Sequence, residues 1–213
     1  MSQEKKVSTS TPPSGAGGIV IINYGAGNIQ SIMFAIERLG YTAVLSNDPD
    51  EIRAADKVIF PGVGEASYAM NMLRQSGLDS LIPTLTQPVL GICLGMQLMC
   101  HHSEEGDTTG LGIFDVNVYK YSNKVKVPQM GWNTIYNLKS DLFKGIAEKE
   151  YMYLVHSFYA PLCKETIATT DYELEYSSAL ENKNFFGTQF HPEKSGDVGE
   201  QILKNFLLLT SNF

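Results

Sequence analysis

Disulfide chemistry has little to work with in this sequence, because its 213 residues hold only three cysteines, Cys93, Cys100 and Cys163. They are odd in number and form no CxxC pair, which suits reduced thiols in a cytoplasmic protein better than a disulfide framework. No apolar run approaches the ~18–20 residues that a membrane helix requires. The opening stretch, MSQEKKVSTSTPPSGAGG, lacks both the apolar core of a secretory signal and the arginines of a transit peptide. Residues 1–17 are expected to form a flexible tail ahead of one domain over 18–213. Basic clusters are missing too. A formal charge of −7 opposes non-specific attraction to nucleic acid or anionic membrane and leaves small molecules and protein as partners.

What is present is ordinary globular composition, 43% apolar and 18% charged, with a clear change of pattern midway. GIVIIN (18–23), residues 42–45, KVIF (57–60) and 89–92 read as short buried strands. Helical spacing follows at 29–39, 65–75, 78–86 and from Leu94 to about His101. Strands alternating with helices predict a parallel sheet covered on both faces. From 111 onward the segments 111–119, 132–137, 151–155, 165–170, 173–181 and 184–190 are strand-like, and a last helix is expected over 198–209. The expected fold is α/β, doubly wound, with a largely parallel central sheet, helices on both faces and a strand-rich second half that extends the same sheet.

Within the stretch GICLGMQ (91–97), Cys93 stands between a strand and a helix with glycine on each side at two residues' distance. That is the pattern of a nucleophile elbow, where small neighbours let the backbone turn sharply and the helix N-terminus favours a thiolate. A buried structural cysteine fits the same local pattern, and both readings stand at this point. Four histidines are available as a base. His101 and His102 fall about 12 Å along the expected helix, too far to meet Cys93. His156 follows the strand YMYLV. His191 ends the strand FFGTQF and is followed two residues on by Glu193, so a base and an orienting carboxylate share one turn. Phe60–Glu65 (FPGVGE) is a further glycine turn at a strand end, where backbone N–H groups are free to face a site. Tyr24–Asn28 resembles a dinucleotide fingerprint, but Gln30 stands at the third glycine position, and nucleotide binding is rejected there.

Together GICLGMQ and QFHPEKS (189–195) resemble the class I, triad-type glutamine amidotransferases. The resemblance implies that Cys93 attacks the side-chain amide of glutamine, that His191 is general base and acid, and that Glu193 holds the imidazole, with no cofactor and no metal. It also implies oxyanion donors from the backbone of Val63, Gly64 and Leu94. Glutamine contacts at Gly62, Gln97, Ser157 and Phe158 follow from the same matching.

NYGAGNIQS (23–31), PGVGEA (61–66), KVPQMGWN (126–133) and YLVHSF (153–158) look like the branch of that family whose glutaminase subunits serve imidazole glycerol phosphate synthesis in the histidine pathway. The branch implies a heterodimer with a (β/α)8 cyclase subunit that receives the ammonia, with Asn28, Gln129 and Trp132 at the interface. From composition alone Trp132 reads as the buried start of a core strand. This sequence carries Gln129 where the branch usually has His, and Asn23 where Asp is common; neither position belongs to the triad. Three other readings remain beside this one: a paralogous subunit feeding a different acceptor enzyme, a cysteine hydrolase on the same fold, and a non-catalytic module that retains the motif.

Overall fold

The structure is a computed structural model that describes residues 18–25 and 27–210; the tail expected over 1–17 lies outside the described residues. The first half alternates strand and helix: β1 (Ile19–Ile22), α1 (Ile29–Arg38), β2 (Ala43–Ser46), α2 (Pro49–Ala54), β3 (Lys57–Phe60), α3 (Ala66–Ser76), α4 (Leu78–Leu81), β4 (Val89–Ile92) and α5 (Leu94–Leu98). The second half supplies β5 (Cys100–Ser103), β6 (Thr108–Thr109), β7 (Phe114–Lys120), β8 (Gln129–Ile135), β9 (Glu150–His156), β10 (Phe158–Tyr159), β11 (Thr166–Tyr172), β12 (Leu174–Asn182), β13 (Phe185–Thr188) and α6 (Gly196–Leu208).

A seven-stranded sheet in the order β11-β12-β13-β4-β3-β1-β2 forms the centre. From β2 to β13 every pairing is parallel, and β12 and β11 add an antiparallel edge. The alternation along β1 shows why its run is apolar throughout. Ile19 and Ile21 pack with Ile32, Ala35 and Ile36 of α1 and with Ile202, Leu203 and Phe206 of α6. Val20 and Ile22 enter the opposite core with Ala69, Met70 and Leu73 of α3. A strand whose two faces are both covered has no polar face to write into its sequence. Local chemistry sets some boundaries: Asp48 caps α2 by accepting from Asp50 N at 2.8 Å, with Pro49 at the first helical position.

Three expectations are corrected. Only β11 to β13 extend the central sheet; β10, β7, β5 and β6 form a separate four-stranded sheet, and β8 and β9 a two-stranded ribbon. The helix expected from Leu94 to His101 ends at Leu98, and Cys100–Ser103 is strand. Its next carbonyls are taken by a crossing segment: Leu111 N donates to Leu98 O, Ile113 N to Met99 O and Gly112 N to Cys100 O, at 2.8, 2.8 and 3.1 Å. Tertiary pairing thus overrides helical spacing. His101 and His102 are therefore strand residues, lying beside Asp115 (3.1 Å) and Asp107 (3.3 Å). The helix expected over 78–86 is likewise helical only to Leu81, with a 3-10 turn at Ile82–Thr84.

Candidate active site

Strands β4 and β13 are neighbours, parallel and in register, with Thr188 opposite Ile92. Whatever follows the C-terminal end of either strand therefore emerges on one edge of the sheet, the place where open α/β sheets bind ligands. Cys93 follows β4, and His191 follows β13 three residues after Thr188. Cys93 holds φ 54° and ψ −109°, a conformation that a side-chain-bearing residue adopts only under constraint. Two bonds supply that constraint: Cys93 N donates to Thr188 O (2.7 Å), and Cys93 O accepts from Gln97 N (3.2 Å). Glycines at 91 and 95 make the turn possible by leaving room for Met99 and for the Phe60 carbonyl respectively.

His191 is fixed from several sides. Its N–H donates to Tyr153 O at 2.9 Å, and Ser195 Oγ donates to His191 O at 2.6 Å while accepting from Tyr153 N at 3.0 Å. The ring nitrogen Nδ1 lies 2.8 Å from Glu193 Oε1. A carboxylate accepts only, so Nδ1 carries the proton of this bond. The other nitrogen, Nε2, is buried and meets no strict hydrogen-bond geometry among the described residues, but the Cys93 side chain interacts with the ring, and Nε2 is the atom left to exchange a proton with it. Burial pushes the imidazole toward its neutral form, but the Cys93 sulfur and the Glu193 carboxylate prevail and raise the His191 pKa to about 10.

Cys93 and His191 share a cavity of about 320 Å³ with Val63, Gly64, Leu94, Gln97, Glu105, Pro128, Val155, His156, Ser157 and Phe158. That volume suits an amino-acid-sized ligand. Of the residues assigned from the family resemblance, Val63, Gly64, Leu94, Gln97, Ser157 and Phe158 thus lie on its wall. Gly62 does not: it packs beneath the wall against Leu94 and Gly95. Gln97 is almost fully buried, and its Nε2 donates to Phe158 O (2.9 Å) and Gln189 Oε1 (2.8 Å). It therefore also shapes the wall. His156 Nδ1 lies 2.7 Å from the same Phe158 carbonyl. Burial lowers the His156 pKa to about 4, against the Phe158 bond and assisted by nearby His191. At neutral pH His156 is a neutral structural donor.

Two residues were missed by sequence reasoning. Gln189 Nε2 donates to Cys93 Sγ at 3.7 Å; its signal was available, since it stands two residues before His191 in the quoted QFHPEKS segment. Glu105 brings a carboxylate to the cavity from the loop between β5 and β6, and nothing in its local sequence marks it. Burial and the neighbouring Glu65 raise its pKa, while a bond from the Ala66 amide opposes the shift.

The residues expected at a partner face separate. Trp132 is 56% exposed, beside Met130 at 61% and Tyr151 at 59%, on the ribbon whose other strand carries Tyr153 and Val155 to the site. Asn28 is half-buried and accepts from Ser31 Oγ (3.1 Å). Gln129, expected at the interface, is instead buried. At 4% exposure its Oε1 accepts from Tyr176 (3.0 Å) and Tyr121 (3.3 Å), because β-strand alternation turns it to the face opposite Met130.

The sequence model of the family described as glutamine amidotransferase class-I matches residues 20–210. The chain is 56% identical over 194 residues to the imidazole glycerol phosphate synthase subunit HisH of Bacteroides fragilis strain YCH46, covering 90% of this chain and 99% of that protein. To the protein of the same name in Yersinia pseudotuberculosis it is 49% identical, over 89% of this chain and 98% of the relative. Among solved structures, the crystal structure of a glutamine amidotransferase superposes with a TM-score of 0.71 at 16% identity, covering 89% of this chain and 97% of that one. At that identity the likeness speaks for the fold.

Proposed function

The chain belongs to the class I glutamine amidotransferases, and from that premise we propose that it is the glutaminase subunit of an imidazole glycerol phosphate synthase. It hydrolyses glutamine to glutamate and ammonia and delivers the ammonia to a (β/α)8 cyclase subunit in histidine biosynthesis, in the cytoplasm. The observation that carries this reading is the meeting of a positive-φ Cys93 with the buried His191–Glu193 pair at one edge of the sheet.

In the proposed reaction Cys93 Sγ attacks the side-chain amide carbon of glutamine, and the carbonyl oxygen takes up the charge. Backbone N–H groups of the Val63–Gly64 turn and of Leu94 stabilise that oxyanion. His191, charged and oriented by Glu193, gives its Nε2 proton to the departing ammonia, leaving a thioester on Cys93. Water then adds to the thioester with His191 Nε2 as base, and glutamate leaves. Glu105, the carboxylate on the cavity wall, meets the α-ammonium group of the substrate.

Ammonia made at this edge of the sheet would be protonated and lost in open water, so the site needs a cover. The exposed Met130, Trp132 and Tyr151 offer an apolar face of the composition that interfaces favour. The test is to purify the chain with its cyclase and to measure glutamate release and imidazole glycerol phosphate formation, with glutamine or with ammonium salt as nitrogen source. Glutamine-dependent synthesis is expected; a complex that uses ammonium alone overturns the reading.

A further inference from the structure

The segment from Pro61 to Glu65 carries the candidate oxyanion donors, and a side chain from elsewhere holds it at each end. At its entry Tyr24 Oη donates to Pro61 O at 2.8 Å. At its exit the Ala66 N–H donates to Glu105 Oε2 at 2.9 Å. Between these anchors Gly62 is clamped on Leu94 and Gly95, whereas Gly64 has φ +101° and open space where a side chain would stand. With glycine on both sides of Val63, the setting of the Val63–Gly64 peptide depends on how the two ends are held.

The anchors differ in one respect. Tyr24 is buried, but the Glu105 carboxylate also lines the cavity in front of Cys93. Ala66 opens α3, where amides lack an intrahelical acceptor, and Glu65 at the cap position makes no side-chain bond to them. Glu105 fills that role from a distance of 39 residues. A Cβ at Gly106 would overlap Glu65 and Ser67, so the loop lies directly on the start of α3 and leaves Glu105 little freedom.

We propose that Glu105 is a positioning residue for the oxyanion turn, holding the Ala66 amide from within the substrate cavity so that occupancy of the cavity and the setting of the Val63–Gly64 peptide are linked. This rests on the glutaminase reading above. One carboxylate oxygen serves the amide, and the other is left for the ammonium group of glutamine. Glutamine bound there braces the carboxylate, and through it the turn that receives the oxyanion.

The link can be cut on either side. Ala66→Pro removes the donor and adds a ring in its place: proline is favoured at the first helical position, and Glu65 already has φ −106° and ψ 138°, the extended conformation required before proline. In the complex with the cyclase, A66P is expected to lower kcat for glutamine hydrolysis about tenfold or more, with a much smaller change in KM. E105Q keeps an acceptor for the amide but loses the charge. It is expected to raise KM about tenfold and to retain at least about tenfold more of kcat than E105A. Because Ala66 is fully buried, A66P is checked by thermal melting; if it fails to fold, the E105Q and E105A pair decides. Equal kcat in that pair overturns the positioning role. A wild-type complex that releases no glutamate overturns the activity itself, a result distinct from equal variants.

Discussion

Gly95 in α5 stands against the carbonyl of Phe60 at the end of β3, so close that a Cβ at position 95 would overlap the Phe60 oxygen. The nucleophile turn and the glycine turn at 61–64 are thus in backbone contact, and Gly62 repeats the contact from the other side, against Leu94 and Gly95. At Phe60–Gly62 neither segment is able to move without displacing the other, whereas Gly64 has open space.

Gly95→Ala follows from that contact. The added methyl meets backbone, which has no flexible end to swing aside, so the glycine turn must separate from Cys93. The variant is expected to lose about 1–3 kcal/mol of stability through overpacking, and about 100-fold in glutamine turnover through displaced oxyanion donors. Denaturant titration and steady-state kinetics read the two effects. A variant of unchanged kcat would show that the donors lie elsewhere.

Cys93→Ala is expected to abolish glutamine-dependent synthesis while ammonium-dependent synthesis by the cyclase survives. Cys93→Gly should be equally inactive but more stable than Cys93→Ala by about 1 kcal/mol, since glycine relieves a positive-φ position. Loss of the ammonium reaction in both variants, or identical melting of the two, contradicts the assignment.

The His191 proton gives a pH prediction. Its pKa is raised from 6.5 to about 10, so the imidazolium that protonates the leaving ammonia persists through neutral pH and is lost as pH rises toward 10. Glutaminase activity should therefore fall on the alkaline side. Glu193→Gln removes one of the charges that raise this pKa, so the alkaline fall should move to lower pH. A pH-rate profile of both proteins tests it, and an unmoved alkaline limb in Glu193→Gln counts against Glu193 as the orienting charge.

Trp132→Ala addresses the partner face. An exposed aromatic at the centre of an interface contributes about 2 kcal/mol or more, so affinity for the cyclase should fall roughly 30-fold in a titration. Labelling of Cys93 by a glutamine analogue in the free protein reports whether the site itself stays intact. Undiminished affinity would place the interface on another surface.

Several parts of this protein were legible in the chain alone. The buried strands at 19–22, 57–60 and 89–92 follow from short apolar runs ending in glycine turns, and the turn around Cys93 follows from glycines at 91 and 95, because each depends on neighbours close in sequence. The pairing of His191 with Glu193 is local in the same sense, two residues apart within one turn. What the sequence did not contain is distance between remote segments. Only the parallel register of β4 and β13, Thr188 against Ile92, sets Cys93 and His191 on one edge although 98 residues separate them. Only the crossing strands make Cys100–Ser103 a strand, turn Gln129 inward and carry Glu105 to the cavity. Periodicity records which face of an element is apolar; it does not record which other element will cover that face, and the site is assembled from those coverings.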